Sequence, residues 1–169
     1  MARMRVALLL ATAVALTGAS AASAFRLTSP AFRSGGAIPK RFTCDGADRS
    51  PPLRWTPAPL RARALALQVV DVSTPSRFMH WLAWGMSPRS RGLAAGARPP
   101  RQGTNDFGRL GWSGPCPPAG TKHRYSFVLI ALMHPLRLRS GATAREFRRA
   151  VGSAGIIRQT LLVGTYRRA

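Results

Sequence analysis

The sequence predicts a mainly β domain with one or two short helices near its C-terminus. Three observations predict it. Sixteen glycines and fourteen prolines are spread along the 169 residues, which marks many turns and short elements. The apolar runs beyond residue 24 are of strand length and are bounded by such turn residues. Helix punctuation is confined to the last third of the chain, so strands come first and helices after.

In chain order, Arg3 and Arg5 precede the apolar run Val6 to Leu16, and Ala22-Ser23-Ala24 supplies a small-x-small cleavage pattern. Residues 1–24 therefore read as a secretory signal peptide cleaved before Phe25, and 25–169 as a single domain. The apolar run is short for a bilayer span, and no later segment approaches that length. No cysteine of the lipoprotein kind lies near the cleavage site. The expected location is outside the cytoplasm, periplasmic or secreted.

Arg63 to Asp71 is an apolar run ending on a carboxylate, a buried strand with its polar end at Asp71. Val72-Ser-Thr-Pro75 breaks it. His80 to Met86 is a second strand. Arg89 to Gly111 is a Gly/Arg/Pro loop, the least regular part of the chain. His123 to Leu132 is a third strand, entered from the Pro-rich loop Gly114 to Pro118. Strand alternation puts His123, Tyr125, Phe127 and Leu129 on one face, and His80, Leu82 and Trp84 on one face of theirs. Each strand thus starts polar and continues apolar on the same side, as the floor of a pocket does below its mouth. Thr143-Ala-Arg-Glu146 fits a capping box, followed by Phe147, Ala150 and Val151 at helical spacing, with Gly152 as terminator. A second helical stretch is expected over Gly155 to Leu161, then a last strand over Leu162 to Tyr166.

The formal net charge is +21 and almost all of it is arginine. Setting aside Arg3 and Arg5 leaves 24 basic residues against 5 acidic ones. Such a field attracts anions and acidic surfaces without dictating a fold. The charges are dispersed, with no basic helix and no aromatic–basic repeat, so no specific nucleic-acid partner is expected. Cys44 and Cys116 are the two cysteines. An even count in an exported chain suggests a disulfide, and a pair of buried free thiols is the competing reading. Neither lies in a CxxC and no histidine pair has ligand spacing, so a zinc site is disfavoured, and no metal or cofactor is expected.

Several segments together resemble the phosphatidylethanolamine-binding protein family, in its bacterial Raf-kinase-inhibitor-like branch. They are Ile38 to Trp55, Asp71 with Pro75, His80-Trp-Leu, Asn105 to Gly111, Gly114 to Thr121, His123-Arg-Tyr and Leu162 to Tyr166. The resemblance implies a large central antiparallel sheet flanked by a smaller one and short helices. It also implies a small anion pocket for phosphate, a carboxylate or a phospholipid headgroup. Carried over, Asp71, His80, His123 and Tyr125 are the ligand-binding residues, and Gly114, Pro115, Pro117 and Pro118 form the wall. Val72 and Ser73 stand where the family usually has Pro and Asp, so Asp71 lacks its second acidic neighbour.

These residues suit anion binding chemically, since imidazolium and phenol groups donate hydrogen bonds and a carboxylate orients a histidine. The expected function is that of an exported, non-enzymatic binding protein, acting through its ligand or as an inhibitor or modulator of a partner protein. Two alternatives remain open. One is a hydrolase using the His/Asp pocket, against which stands the lack of a serine in a nucleophile-elbow context. The other is a surface binder of polyanions or anionic lipid driven by arginine charge.

Overall fold

The computed structural model describes residues 24–169. The segment read as a signal peptide lies, apart from Ala24, outside them. The elements are β1 (Leu27–Thr28), β2 (Leu53–Trp55), β3 (Ala64–Asp71), β4 (Met79–Met86), β5 (Gly92–Leu93), β6 (Arg101–Gln102), β7 (Lys122–Leu132), α1 (Ala144–Ser153) and β8 (Ile156–Arg167). A short 3-10 turn covers Lys40–Phe42.

The strands form a five-stranded antiparallel sheet ordered β6-β4-β3-β7-β8 and a three-stranded one ordered β1-β2-β5. β3 lies in the middle of the large sheet, and seven of its eight residues are buried. That is why it reads as a continuous apolar run instead of an alternating one. One face of the large sheet carries Leu65, Leu67, Val69, Trp81, Phe127 and Leu129 against Leu27, Leu53 and Trp55 of the small sheet. The other face carries Ala66, Met79, Leu82, Trp84 and Ile130 against Phe147 and Val151 of α1. Phe25 is buried in the first of these cores.

The capping box forms as the sequence predicts. Glu146 N donates to Thr143 Oγ1 at 3.3 Å, and Thr143 N donates to Glu146 Oε2 at 2.7 Å. Replacing Thr143 by Ala is expected to lower the unfolding free energy by about 1 kcal/mol, read from urea denaturation.

Three details correct the sequence reading. The helix continues past Gly152 to Ser153, and Gly155, at φ +72°, makes the left-handed exit. Gly155 to Leu161 is not a second helix. Ile156–Arg167 is one long strand paired along its length with β7, from Lys122↔Arg167 to Leu132↔Ile156. β-Branched Ile156, Ile157 and Thr160 suit this, and a full-length partner outweighs any local helical tendency. Finally, the Arg89–Gly111 loop contains the small strands β5 and β6, too short to show in a sequence pattern.

The outer strand β8 also receives the N-terminal segment. Gly35 N donates to Val163 O at 2.8 Å and Ile38 N to Thr165 O at 2.7 Å.

Candidate functional site

The predicted site residues meet at one end of the large sheet. Asp71 is the last residue of β3 and pairs with Tyr125 of β7. His123 lies two residues before Tyr125 and shares its face. Its Nδ1 is 2.6 Å from Asp71 Oδ2. Asp71 Oδ1 accepts from Ser73 N at 2.9 Å, so both carboxylate oxygens are used inside the protein. The His123 side chain keeps 17% exposure against 5% for Asp71. Asp71 therefore stands behind His123 and orients it, and His123 is the more exposed of the two.

The departure at Val72 and Ser73 is absorbed locally. Ser73 Oγ accepts from Arg124 N at 2.9 Å, and Thr74 Oγ1 accepts from Phe78 N at 2.9 Å, which closes the β3–β4 turn onto β7. Asp106, from the opposite loop, takes a place near His80: its Oδ2 accepts from Met79 N at 2.6 Å.

His80 does not share a face with Leu82 and Trp84. Val69 pairs with Trp81 but Val70 pairs with Met79, so β4 carries one extra residue here. This bulge lets Met79 stay on the helix side and Trp81 on the other. His80 is turned toward Tyr125, its ring meeting the tyrosine edge-to-face with centroids 5.2 Å apart. Phe78 and Phe107 complete an aromatic box, each with its centroid 5.4 Å from that of His80. A one-residue insertion is invisible to period-2 reasoning, which is why alternation placed this side chain wrongly.

His80 Nδ1 lies 2.7 Å from Ser113 O, and Ser113 N donates back to His80 O at 3.1 Å. An acceptor at Nδ1 means that Nδ1 carries the proton. Neutral His80 thus keeps a lone pair at Nε2, and Nε2 becomes a donor only on protonation. The same holds for His123, whose Nδ1 faces a carboxylate. Burial lowers the His80 pKa, opposed by the Ser113 carbonyl and by the Asp71 and Asp106 carboxylates. Among the described residues the fully buried Tyr125 hydroxyl has no partner in full hydrogen-bond geometry, and the Asp71 carboxylate is its polar neighbour. Burial and the neighbouring Asp71 charge push its pKa up, so it stays a phenol and a donor.

The wall is fastened from behind. Cys44 and Cys116 form a disulfide with their Cα atoms 5.4 Å apart. Cys44 N donates to Pro115 O at 3.2 Å, and Gly114 N to Asp48 Oδ1 at 2.6 Å. A Cβ at position 114 would collide with the Phe42 carbonyl, so only glycine fits. Pro115 and Pro117 are buried and Pro118 is exposed. Tyr166, the β8 partner of His123, donates through its hydroxyl to Asp45 Oδ2 at 2.7 Å, and Arg168 Nε donates to Asp45 Oδ1 at 3.1 Å.

Sequence reasoning missed the Ser113 carbonyl, Phe78, Phe107 and Asp106 as neighbours of His80. The Asn105–Gly111 motif held a signal. Asn105 Oδ1 accepts from Phe107 N and Arg109 N while its Nδ2 donates to Gly111 O and Ser113 Oγ, an Asx-type turn that an Asn-x-x-Gly stretch permits. The third histidine, His134, is exposed beyond the far end of β7. Among the described residues no three His, Cys, Asp or Glu side chains converge as a metal site, and no helix is long and apolar enough to cross a membrane.

Comparison with known proteins places this geometry. The family model described as phosphatidylethanolamine-binding protein matches residues 28–167. A UPF0098 protein of Methanothermobacter thermautotrophicus is 42% identical over 150 residues, covering 84% of this chain and 98% of its own. "Putative lipoprotein LppC" of Mycobacterium tuberculosis is 40% identical over 159 residues, covering 92% of this chain and 78% of its own. Among solved structures, the homologue CT736 from Chlamydia trachomatis superposes with a TM-score of 0.79 at 37% identity. It covers 86% of this chain and 98% of that one. YbcL of Escherichia coli, at 24% identity and a TM-score of 0.80, shares the fold, over 86% of this chain and 99% of that one.

Proposed function

The chain belongs to the phosphatidylethanolamine-binding protein family, and from that premise we propose that it is an exported, non-enzymatic binding protein for a small anion. The ligand carries a phosphate or carboxylate, free or as a phospholipid headgroup. It is held by His123 and His80 through Nε2 and by the Tyr125 hydroxyl, with Asp71 positioning His123. The observation that carries this reading is the convergence of the Tyr125 phenol, edge-to-face with His80 and beside the Asp71 carboxylate, with two imidazoles whose Nδ1 atoms are already engaged. Both imidazoles thus keep Nε2 for a ligand.

Binding is favoured over turnover by the same contacts. Among the described residues neither imidazole is hydrogen-bonded to a serine or cysteine side chain that it would activate, and Cys116 is in the disulfide. Export is supported by the signal-peptide pattern, by the disulfide, and by a lipoprotein name on one relative.

The reading predicts a proton-linked affinity. An anion needs Nε2–H, so it binds the imidazolium. The His80 pKa lies below its ordinary 6.5. Affinity for glycerophosphoethanolamine, whose phosphodiester does not titrate in this range, should rise as pH falls from 6.5 through that depressed value, then level off. His123→Ala removes a charge-assisted bond worth about 1.5–3 kcal/mol, a loss of roughly 10- to 100-fold. Calorimetric titration of wild type, His80→Ala and His123→Ala checks both, with inorganic phosphate as the second ligand. Equal affinity in all three would reject the site. Affinity that collapses with salt but not with His123→Ala would favour surface binding through arginine.

A further inference from the structure

A second cleft, separate from the histidines, lies on the other side of the Gly111–Gly114 segment. Its volume is about 270 Å³, and it is bordered by Asp48, Arg49, Ser50, Arg98, Gln102 and Trp112. Two of these residues carry buried polar atoms with no partner among the described residues, Ser50 Oγ and Trp112 Nε1. Ser50 is only 2% exposed. Buried polar groups are nearly always satisfied in folded proteins, and both residues border this cleft, so a group seated in it is one way to complete them. The indole N–H only donates, so the missing group is an acceptor.

The other lining groups agree. Gln102 Oε1 accepts from Trp81 Nε1 at 2.8 Å, which leaves its NH₂ as the free end. Among the described residues Arg98 makes no salt bridge, and Arg49 gives one long bond, NH2 to Ala95 O at 3.3 Å. The one carboxylate, Asp48, has Oδ1 occupied by Gly114 N. Two guanidiniums against one carboxylate leave a single uncompensated positive charge. A planar fork beside neutral donors matches a carboxylate. Leu110, exposed at 60%, and the Trp112 ring add an apolar wall.

We propose that this cleft is a second binding site that takes a small monocarboxylic acid, its carboxylate on Arg98, Ser50 and Trp112 Nε1 and its apolar tail toward Leu110. The site is independent of the anion pocket at His123. It does share a strut with that pocket, because Trp112 lines the cleft while the next two residues hold His80 and Asp48.

The test follows the indole N–H resonances of ¹⁵N-labelled protein, with Trp112 identified through its loss in Trp112→Phe. Acetate, butyrate and inorganic phosphate are titrated at constant ionic strength against chloride. The Trp112 resonance should move saturably with butyrate, at lower concentration than with acetate, and unchanged in His123→Ala. Ser50→Ala and Arg98→Gln should each weaken the response about tenfold. Arg98 is exposed, so its variant folds even if Ser50→Ala does not. A shift that never saturates, an Arg98→Gln response equal to wild type, tighter binding of phosphate than of either carboxylate, or loss of the response in His123→Ala overturns the proposal. The phosphate and glycerophosphoethanolamine titrations of the first pocket are read separately, so either site fails without the other.

Discussion

Replacing Cys44 and Cys116 by Ser is expected to lower the unfolding free energy by about 4 kcal/mol, because the bond closes a loop of 72 residues and its loss returns that loop's conformational freedom to the unfolded chain. A domain of this size has about 5–15 kcal/mol in total, so the double variant sits near the edge of folding at 37 °C. The folded state loses something too. The disulfide joins the Thr43–Asp48 turn to the wall at Pro115–Pro117, leaving Cys44 N to Pro115 O and Gly114 N to Asp48 Oδ1 as the remaining ties. Guanidinium denaturation of oxidised, reduced and double-Ser protein gives the figure. A difference under about 1 kcal/mol would mean that the unfolded chain is already compact around this loop.

Phe147→Ala is expected to cost about 3–5 kcal/mol. Phe147 is fully buried and packs tilted against Trp84, centroids 5.8 Å apart. It is the main anchor of α1, helped by Val151. Beyond these only the small Ala144 and Ala150 pack inward, Arg145, Arg148 and Arg149 lie in solvent, and ten residues do not hold a helix alone. Far-ultraviolet circular dichroism should show the loss of one helix before global unfolding. Phe147→Leu, which keeps most of the volume, should lose under about 1.5 kcal/mol. Anion affinity should stay near wild type in both, since α1 covers the face opposite Tyr125 and His123.

Much of this molecule is legible in the sequence, and the exceptions have physical reasons. The central strands declare themselves because each is buried over most of its length, and the capping box because its two partners lie three residues apart. Strand alternation places His123, Tyr125, Phe127 and Leu129 together because β7 is regular there. It misplaces His80 because β4 bulges at that residue, and a bulge depends on the partner strand. Gly155 to Leu161 suits helix or strand locally, and only β7 lying alongside decides it. The small strands β1, β2, β5 and β6 have two or three residues each, below any periodicity. Of the site, the motif resemblance picks out the side chains but not the backbone. The Ser113 carbonyl that fixes the His80 tautomer has no residue-type signature at all.

The docking of Gly35 to Ile38 onto the far end of β8 bears on how the chain is made. Synthesis runs from the N-terminus, so Gly35 to Ile38 emerge long before the strand that receives them at Val163 and Thr165. The same strand completes the edge of the large sheet beside His123. A nascent chain that stops short of β8 therefore leaves one edge of the large sheet open, and Gly35 to Ile38 wait through some 125 residues before finding their partners. Contacts so distant in sequence make for slow closure. Under the proposed export, a fold whose large sheet closes only when β8 is in place stays threadable through a membrane pore until that strand has been made.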